Sequence, residues 1–283
     1  MSLGYSNRMA QKPVADALTL ELEPVVGDNL ARHLQTADEW YGHDYVPFDQ
    51  GENFAFLGGT DWDPSQVTLP ADVVDALEIL LITKDNLAGY HRELVEHFIL
   101  EDGWGRWIGR WTAEENLHAI AIRNYLVVTR NFDPTANEDV RVAHVMRGYR
   151  ATHFSQIETL VFMALYEGAH AVFARNLEAK IDEPVLKGLV GRIAADEERH
   201  EEFFANVVAH LLQTHRDSTI NSIGRRAVDF GVVGGDIFEY QDKLHNVAQA
   251  GIFDLDASRQ KVSDRIKAWG LGDETVLRKF VRS

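Results

Sequence analysis

The sequence predicts an all-α protein whose core is a bundle of long helices. Apolar residues recur every three or four positions over four segments, which is the spacing that lines one face of a helix. These segments cover residues 70–98, 105–130, 152–181 and 184–214. Helices of this length exceed the globular average of about 11–12 residues, and we expect them to run side by side through one bundle.

Shorter helices are predicted between and after these four. Pro134 and Pro184 separate the long segments and favour helix starts just after them. Residues 40–70 are rich in glycine and proline and are expected to wrap the bundle as loops. The further helical patterns cover residues 136–150, 216–229, 234–250 and 256–269.

The chain is predicted to form one domain. No change of composition marks a boundary between residues 9 and 283. Residues 1–8 precede a second methionine and follow no helical or strand period, so we expect them to be a leader outside the fold.

Composition and charge narrow the classes of function. The 283 residues include 28 lysines and arginines against 44 aspartates and glutamates, a formal net charge of −16 that argues against a general nucleic-acid binder. The chain has no cysteine, so any metal must be held by nitrogen and oxygen rather than by thiolates. No run of about 18 apolar residues and no secretory signal pattern occurs, so a cytoplasmic protein without a membrane span is expected.

Two predicted helices carry the same acid-Glu-x-x-His motif. A glutamate and a histidine three positions apart share a helix face, so two such helices side by side can direct two carboxylates and two imidazoles at one point. Chance alone gives this motif about 0.3 times in a chain of this composition. A helix cap at Thr112 or a solvated acidic stretch could explain one copy, but the repetition favours a metal site. The two copies are Glu114-Glu115-Asn116-Leu117-His118 and Asp196-Glu197-Glu198-Arg199-His200.

A third carboxylate is expected on the helix that precedes the second motif. Glu167 lies 197 − 167 = 30 residues before Glu197, within an otherwise apolar stretch. A buried glutamate needs a partner, and a metal ion is one. The same spacing applied to the first motif points to position 85, which is Asp85 with Lys84 beside it.

The residues around both motifs resemble a known family, the soluble acyl-[acyl-carrier-protein] desaturases. The similarity is greatest to the mycobacterial branch and covers about residues 40–271. The residues that match the two signature motifs are Trp111–Asn116 with His118, and Ile193–Glu197 with Arg199 and His200.

This resemblance implies a fold, a reaction and partners. Family members are ferritin-like homodimers whose four-helix bundle holds a di-iron centre. They use O2 and reduced ferredoxin to insert a cis double bond into a fatty acyl chain on acyl carrier protein, in fatty acid biosynthesis. We therefore expect an oxidoreductase of lipid metabolism with two Fe(II) ions per subunit. A single ion, or manganese, remains an alternative.

The resemblance also assigns roles to residues. Trp40 and Asp196, together with His118, match the family's electron-transfer path. The three glutamates of the expected metal site are also the expected catalytic residues. The expected metal ligands are Glu115, His118, Glu167, Glu197 and His200.

One ligand position departs from the family. The first-helix motif of the family aligns on Ile82-Thr83-Lys84-Asp85, which places Lys84 where a ligand glutamate is expected. Like charges near 4 Å cost about 4 kcal/mol even at an effective dielectric near 20. Three outcomes follow: Asp85 substitutes as ligand, the second metal is weak or absent, or the chain is an acyl-carrier-protein-binding paralogue that has lost desaturation. His170, one turn from Glu167, is either a substitute nitrogen ligand or a pocket histidine.

The expected partners are acidic, so a local basic patch is needed on a chain of charge −16. An iron-storage bundle is a further alternative, but the roughly 70 residues after His215 disfavour it. The arginines that could form the patch on one helix are Arg106, Arg110, Arg123 and Arg130.

Overall fold

The computed structural model describes residues 16–149, 151 and 153–281, and these form α-helices, short 3-10 turns and no β-strand. The all-α prediction is confirmed. The predicted leader, residues 1–8, lies outside the described residues. The helices are α1 (Ala17–Thr36), α2 (Ala71–Asp85), α3 (Leu87–His97), α4 (Asp102–Val128), α5 (Pro134–Arg147), α6 (Gln156–Lys180), α7 (Pro184–Thr214), α8 (Arg216–Asp229), α9 (Gln241–Gln249) and α10 (Leu255–Ala268).

Four helices form the core bundle. Helices α6 and α7 pack against each other along their length, and α2 packs on α4. Contacts of α4 with α7 and of α2 with α6 join the two pairs. Helix α1 covers α4 and α7 from outside, whereas α9 covers α2. Glu115, Glu167 and Glu197 therefore lie on three of the four bundle helices.

The bundle has two separate apolar clusters with polar residues between them. One cluster is built around Leu77, Ile122 and Phe173, and the other around Trp104 and Phe204. Along α4 and α7 the boundary between the clusters falls at the two motifs, and along α6 it falls at Glu167. The clustered residues of α2 all belong to the first cluster and end at Ile82, just before Lys84. The gap between the clusters is thus a fully enclosed place for buried charged side chains.

The predicted helix over residues 70–98 is two helices. The break is at Asn86, whose backbone (φ −79°, ψ 10°) leaves the helical range while its N–H still bonds to the carbonyls of Thr83 and Lys84. The side chain of Asn86 contacts His144 of α5 (3.3 Å between Nδ2 and Nε2). Lys84 consequently lies in the last turn of a helix, where a cation is favoured by the helix dipole.

The sequence pattern does not predict helix α1. Pro24 lies inside it, and a proline within a helix removes a backbone N–H and clashes with the preceding turn. The helix forms because Leu22, Val26 and Leu30 are buried in the second apolar cluster. Packing therefore outweighs the local penalty at Pro24.

The remaining predictions differ from the structure mainly at helix ends. Residues 40–70 are irregular as expected, with four 3-10 turns and no α-helix. The pattern predicted over 234–250 becomes a helix only from Gln241, because Gly234 adopts a positive φ of 75° in the preceding turn. Thus the order of elements is predicted better than their bounds.

Helix α6 is long and apolar enough to cross a membrane by length and composition. In its most apolar 18-residue window, however, 83% of the residues are buried in the bundle. Its start is fixed by a capping box in which Ser155 and Glu158 bond each other's backbone N–H. The helix is therefore a core element of the bundle.

Candidate metal centre

The four core helices bring the motif residues together in the gap between the two apolar clusters. The i, i+3 spacing places both carboxylate and imidazole of each motif on the inward face, as the sequence predicts. Every one of these side chains is buried. The residues are Lys84 from α2, Glu115 and His118 from α4, Glu167 from α6, and Glu197 and His200 from α7.

Four of these residues form a group that fits one metal ion. Glu115, Glu167, Glu197 and His200 each offer a ligand atom within 4.8 Å of the others. Three of the buried atoms lack a hydrogen-bond partner among the described residues: Oε2 of Glu167, Oε2 of Glu197 and Nδ1 of His200. An unpaired buried carboxylate oxygen is costly, and a cation would satisfy those of Glu167 and Glu197. His200 would bind the same cation through a deprotonated Nδ1. Carboxylate and imidazole ligands suit iron or manganese.

The Lys84 ammonium lies against two carboxylates of this group. Its Nζ lies 2.9 and 2.7 Å from the two oxygens of Glu115 and 2.5 Å from Oε1 of Glu197. Glu115 and Glu197 are also members of the four-residue ligand group. The side chains therefore fit one metal ion, and they do not fit a second one while the ammonium is in place.

His118 lies at the Lys84 end of the site. Its Nδ1 is 3.1 Å from Oε1 of Glu197, the same oxygen that Lys84 contacts, and 3.4 Å from Glu115. It is not part of the four-residue group. Of the five ligands expected from the resemblance, the structure thus brings four around one point and leaves His118 beside the ammonium.

Asp85 and His170 do not supply the missing ligand. Asp85 pairs with Arg123 on another face of the helix, away from the site. His170 donates from Nδ1 to the carbonyl oxygen of Tyr166 (2.8 Å) and lines a cavity beside the site. Of the two alternatives for His170, the structure supports the pocket histidine.

The charged groups of the site are arranged around the Lys84 ammonium. Burial alone would raise the pKa of both carboxyls, but the Lys84 ammonium holds the pKa of Glu115 well below its usual range and that of Glu197 at about 2. Burial would lower the pKa of Lys84, yet Glu115 and Glu197 raise it. Burial, then Glu115 and Glu197, raise the pKa of Glu167 well above its usual range. The ammonium thus pairs with two carboxylates, whose charge disfavours ionisation of Glu167.

Two similar hydrogen-bonded chains leave the site in different directions. On one side, Nε2 of His118 and Nε1 of Trp40 both contact Oδ2 of Asp196, at 3.0 and 2.8 Å. The rings of Trp40 and His118 are nearly parallel, with centroids 6.1 Å apart. The three residues that match the family's electron-transfer path are therefore in direct contact.

On the other side of the site, the Glu114 carboxylate contacts His200 in the same way as Asp196 contacts His118. Its carboxylate contacts Nε2 of His200 (2.9 Å), Nε2 of His33 (3.0 Å) and Arg110. These hydrogen bonds outweigh burial and lower the pKa of Glu114 well below its usual range, whereas they raise that of His200 to about 10. His33 was missed because α1 was not predicted, although the acid that precedes each motif glutamate was a usable signal for Glu114.

Trp111 holds the carboxylate of Glu167 in place, so we expect its replacement to weaken metal binding. Its Nε1 donates to Oε1 of Glu167 (2.9 Å), and both residues are buried. Loss of such a supporting donor typically costs about 10–100-fold in metal affinity. Trp111→Phe should show this loss in a competitive titration with Mn(II). Trp104→Phe is the matched control, since Trp104 on the same helix donates to the carbonyl of Thr19 and should leave the affinity unchanged.

A cavity of about 840 Å3 lies beside the site. Tyr166 in its wall is the sequence neighbour of the ligand Glu167, and Thr83 is that of Lys84, so part of the wall is close to the site. Pockets of roughly 300–1,000 Å3 with mainly apolar walls are typical of small-molecule sites. The aromatic residues of its wall are Tyr90, Tyr149, Phe154, Phe162, Tyr166, Phe230 and Phe238.

Comparison with known proteins extends the likeness to nearly the whole chain. The family of fatty acid desaturases matches residues 15–279. The chain is 70% identical over 273 residues to a Mycobacterium tuberculosis protein named as acyl-[acyl-carrier-protein] desaturase DesA2, covering 96% of this chain and 99% of that protein. It is 36% identical over 242 residues to DesA1 of the same species, covering 83% of this chain and 72% of DesA1.

A more distant relative and a solved structure are also named as acyl-[acyl-carrier-protein] desaturases. The chain is 27% identical over 282 residues to acyl-[acyl-carrier-protein] desaturase 7 of Oryza sativa, covering 89% of this chain and 68% of the rice protein. The X-ray structure of DesA2 superposes with a TM-score of 0.83 at 61% identity, covering 94% of this chain and all of that one. This likeness confirms the predicted ferritin-like fold. The chain belongs to the fatty acid desaturase family.

Proposed function

We propose that the protein is an acyl-[acyl-carrier-protein] desaturase that inserts a cis double bond into a carrier-bound fatty acyl chain. One observation carries the proposal: both acid-Glu-x-x-His motifs converge on a buried ligand group beside a large aromatic cavity. The 70% identity to DesA2, which is named for this activity, supports it.

The proposed metal ligands are Glu115, Glu167, Glu197 and His200, and the proposed metal is iron. A bound iron would supply the activation of O2 that removal of hydrogen from an unactivated methylene requires. Around it, Trp111 orients Glu167, and Glu114 orients His200. The aromatic walls of the cavity would hold the acyl chain and exclude water.

The finer features of the family are part of the same proposal. Electrons would come from a ferredoxin-type donor through Trp40, Asp196 and His118, which are in contact. The protein would act as a single-domain homodimer in the cytoplasm. Each of these statements rests on the resemblance and on the similar proteins.

The four arginines of the predicted basic patch do not form one open face of α4, because Arg130 lies beyond the end of the helix at Val128 and only Arg106 is exposed. Arg110 pairs with Glu39 and Glu114, and Arg123 pairs with Asp85. Arg130 is buried and donates to backbone carbonyls of residues 52, 53 and 60. Three of the four arginines are therefore engaged within the chain, and this helix face is a poor site for an acidic carrier.

Lys84 favours a second candidate function. This candidate is a carrier-binding paralogue that has no oxygen chemistry. In such a protein the Lys84 ammonium would neutralise the buried carboxylates of Glu115 and Glu197 without iron. The two candidates share the fold and the cavity and differ only in turnover.

Turnover of loaded protein separates the two candidates. The protein is loaded anaerobically with Fe(II) and incubated with acyl-carrier thioesters of several chain lengths, reduced ferredoxin and O2, and the fatty acids are analysed by mass spectrometry. We expect an unsaturated product that Glu167→Gln abolishes. Carrier binding without product at any chain length would reject the desaturase and favour the paralogue.

A further inference from the structure

The wall of the aromatic cavity contains a buried arginine. Arg226, on α8, is 6% exposed and lines the cavity together with Phe154 and Phe230. The guanidinium of an arginine stays charged in proteins and presents five N–H donors. A buried charge is costly unless it is paired and hydrogen-bonded. The partners of Arg226 therefore indicate what the cavity can bind.

The contacts of Arg226 within the described part of the chain pair its charge only in part. Nη2 lies 3.6 Å from a carboxylate oxygen of Glu158 and 3.6 Å from one of Asp229, which is longer than a hydrogen bond. Nε has no hydrogen-bond partner among the described residues. Both oxygens of Glu158 are already bonded, one to Arg225 (2.6 Å) and the other to the backbone N–H of Ser155 (2.8 Å). The guanidinium thus keeps donors for a further acceptor.

An aromatic ring of the same wall supports this guanidinium. Its central carbon lies 3.8 Å from the ring centroid of Phe154, a distance at which the two groups stack. Stacking uses the face of a guanidinium and leaves the N–H donors at its edge available. Such an edge fits two oxygens of a carboxylate or a phosphate through a pair of parallel hydrogen bonds.

Two acidic residues also line the cavity, but they are far more exposed. Asp229 and Asp236 have 65% and 56% of their side chains exposed, against 6% for Arg226. Exposed charges are screened by water and salt, whereas a buried charge is screened much less. The contact of Arg226 with the exposed Asp229 also places it toward the open end of the cavity, while Thr83 near the metal site is buried. The buried charge near the opening therefore favours an anion.

We propose that Arg226 binds an oxyanion at the head of the acyl ligand while the aromatic walls hold the chain beyond it. The oxyanion is a carboxylate or a phosphate, because both present paired oxygens to the edge of a guanidinium. On a carrier-bound chain it is the phosphate of the pantetheine arm, and on a free fatty acid it is the carboxylate. This inference rests on the proposed function, in that the cavity holds the acyl chain, and it adds how the head of the ligand is recognised.

The test is direct binding of two ligand pairs, which needs no turnover. Dodecanoic acid and its methyl ester differ in the carboxylate charge, and S-dodecanoyl-phosphopantetheine and S-dodecanoyl-pantetheine differ in the phosphate. Each is titrated into the whole protein below its micelle concentration, followed by tryptophan fluorescence and calorimetry. We expect the anionic member of one pair to bind about 10–100-fold more tightly than its neutral partner, which is the range of a hydrogen bond to a charged group. The pair that shows this preference identifies the oxyanion.

Three variants connect the preference to this side chain. Arg226→Gln should abolish the preference, because the anionic ligand loses affinity and the neutral one keeps it, whereas loss of a merely structural arginine would weaken both alike. Arg226→Lys keeps the charge without the paired donors, so it should retain part of the preference, and it serves if the first variant folds poorly. Arg216→Gln is the matched control and should keep the full preference. Arg216 lies on the same helix, pairs with Glu274 and is not part of the cavity wall.

The outcomes separate this inference from the proposed function. Equal binding of the charged and neutral members in both pairs overturns the inference and leaves the desaturase proposal standing. A preference that survives Arg226→Gln, or an equal loss of both members in that variant and in Arg226→Lys, also overturns it. No binding of any of the four ligands overturns the acyl role of the cavity and the inference together. A preference for the anion in a protein without desaturase turnover supports the inference while the proposed reaction fails.

Discussion

Replacing Lys84 with glutamate is expected to raise the metal content of the folded protein from one ion per chain to about two. The ammonium lies between Glu115 and Glu197 and repels a cation at that place. A glutamate at position 84 would bring the number of carboxylates in the site to four, which balances the charge of two divalent ions. His118 would then be available as an imidazole ligand of the second ion. The measurement is metal analysis after anaerobic Fe(II) loading and removal of free metal.

Asp85→Asn provides the matched control. Asp85 is the next residue of the same helix and pairs with Arg123 rather than with the site. Its variant should bind as much metal as the unchanged protein. If Lys84→Glu still binds a single ion, the ammonium is not what excludes the second metal, and the interpretation of the site is wrong.

Removing the charge of Lys84 is expected to destabilise the metal-free protein by about 3–5 kcal/mol, the usual cost of breaking a buried ion pair from one side. Lys84→Met keeps the length of the side chain but leaves Glu115 and Glu197 buried without their counter-charge. Equilibrium unfolding in urea at neutral pH measures the difference. Lys187→Met, at an exposed position on α7, should change the free energy of unfolding little.

The pH dependence of this difference has a definite sign. In the unchanged protein the pKa of Glu197 is lowered to about 2, so its contribution to stability is present above its unfolded pKa near 4.5 and is lost as the pH falls toward 2. Lys84→Met lacks the main cause of that shift. The two unfolding free energies should therefore converge as the pH falls through this range, and a difference that stays constant would rule out the electrostatic explanation.

The part of the site that sequence predicts is the part that helix periodicity determines. Glu115 with His118 and Glu197 with His200 share a helix face because three residues nearly complete a turn. Glu167 was identified because a carboxylate in an apolar stretch needs a buried partner. These rules are local, and they hold whatever the neighbouring helices do.

The rest depends on packing that the sequence does not show. Lys84 and Asp85 are consecutive, so they point about 100° apart on a helix and only one of them can face inward. Which one does so is decided by Arg123, which pairs with Asp85, and by the break at Asn86. His33 could not be found at all, because it lies on a helix that contains Pro24 and is stabilised by tertiary packing.

The central claim is that this family member holds one metal ion, with Lys84 in the place of the second. Anomalous diffraction from crystals loaded with Fe(II) tests it most directly. We expect one anomalous peak per chain, bounded by Glu115, Glu167, Glu197 and His200, with Nζ of Lys84 still bonded to Glu115 and Glu197. Two peaks per chain, with Lys84 swung out of the site, would contradict the claim.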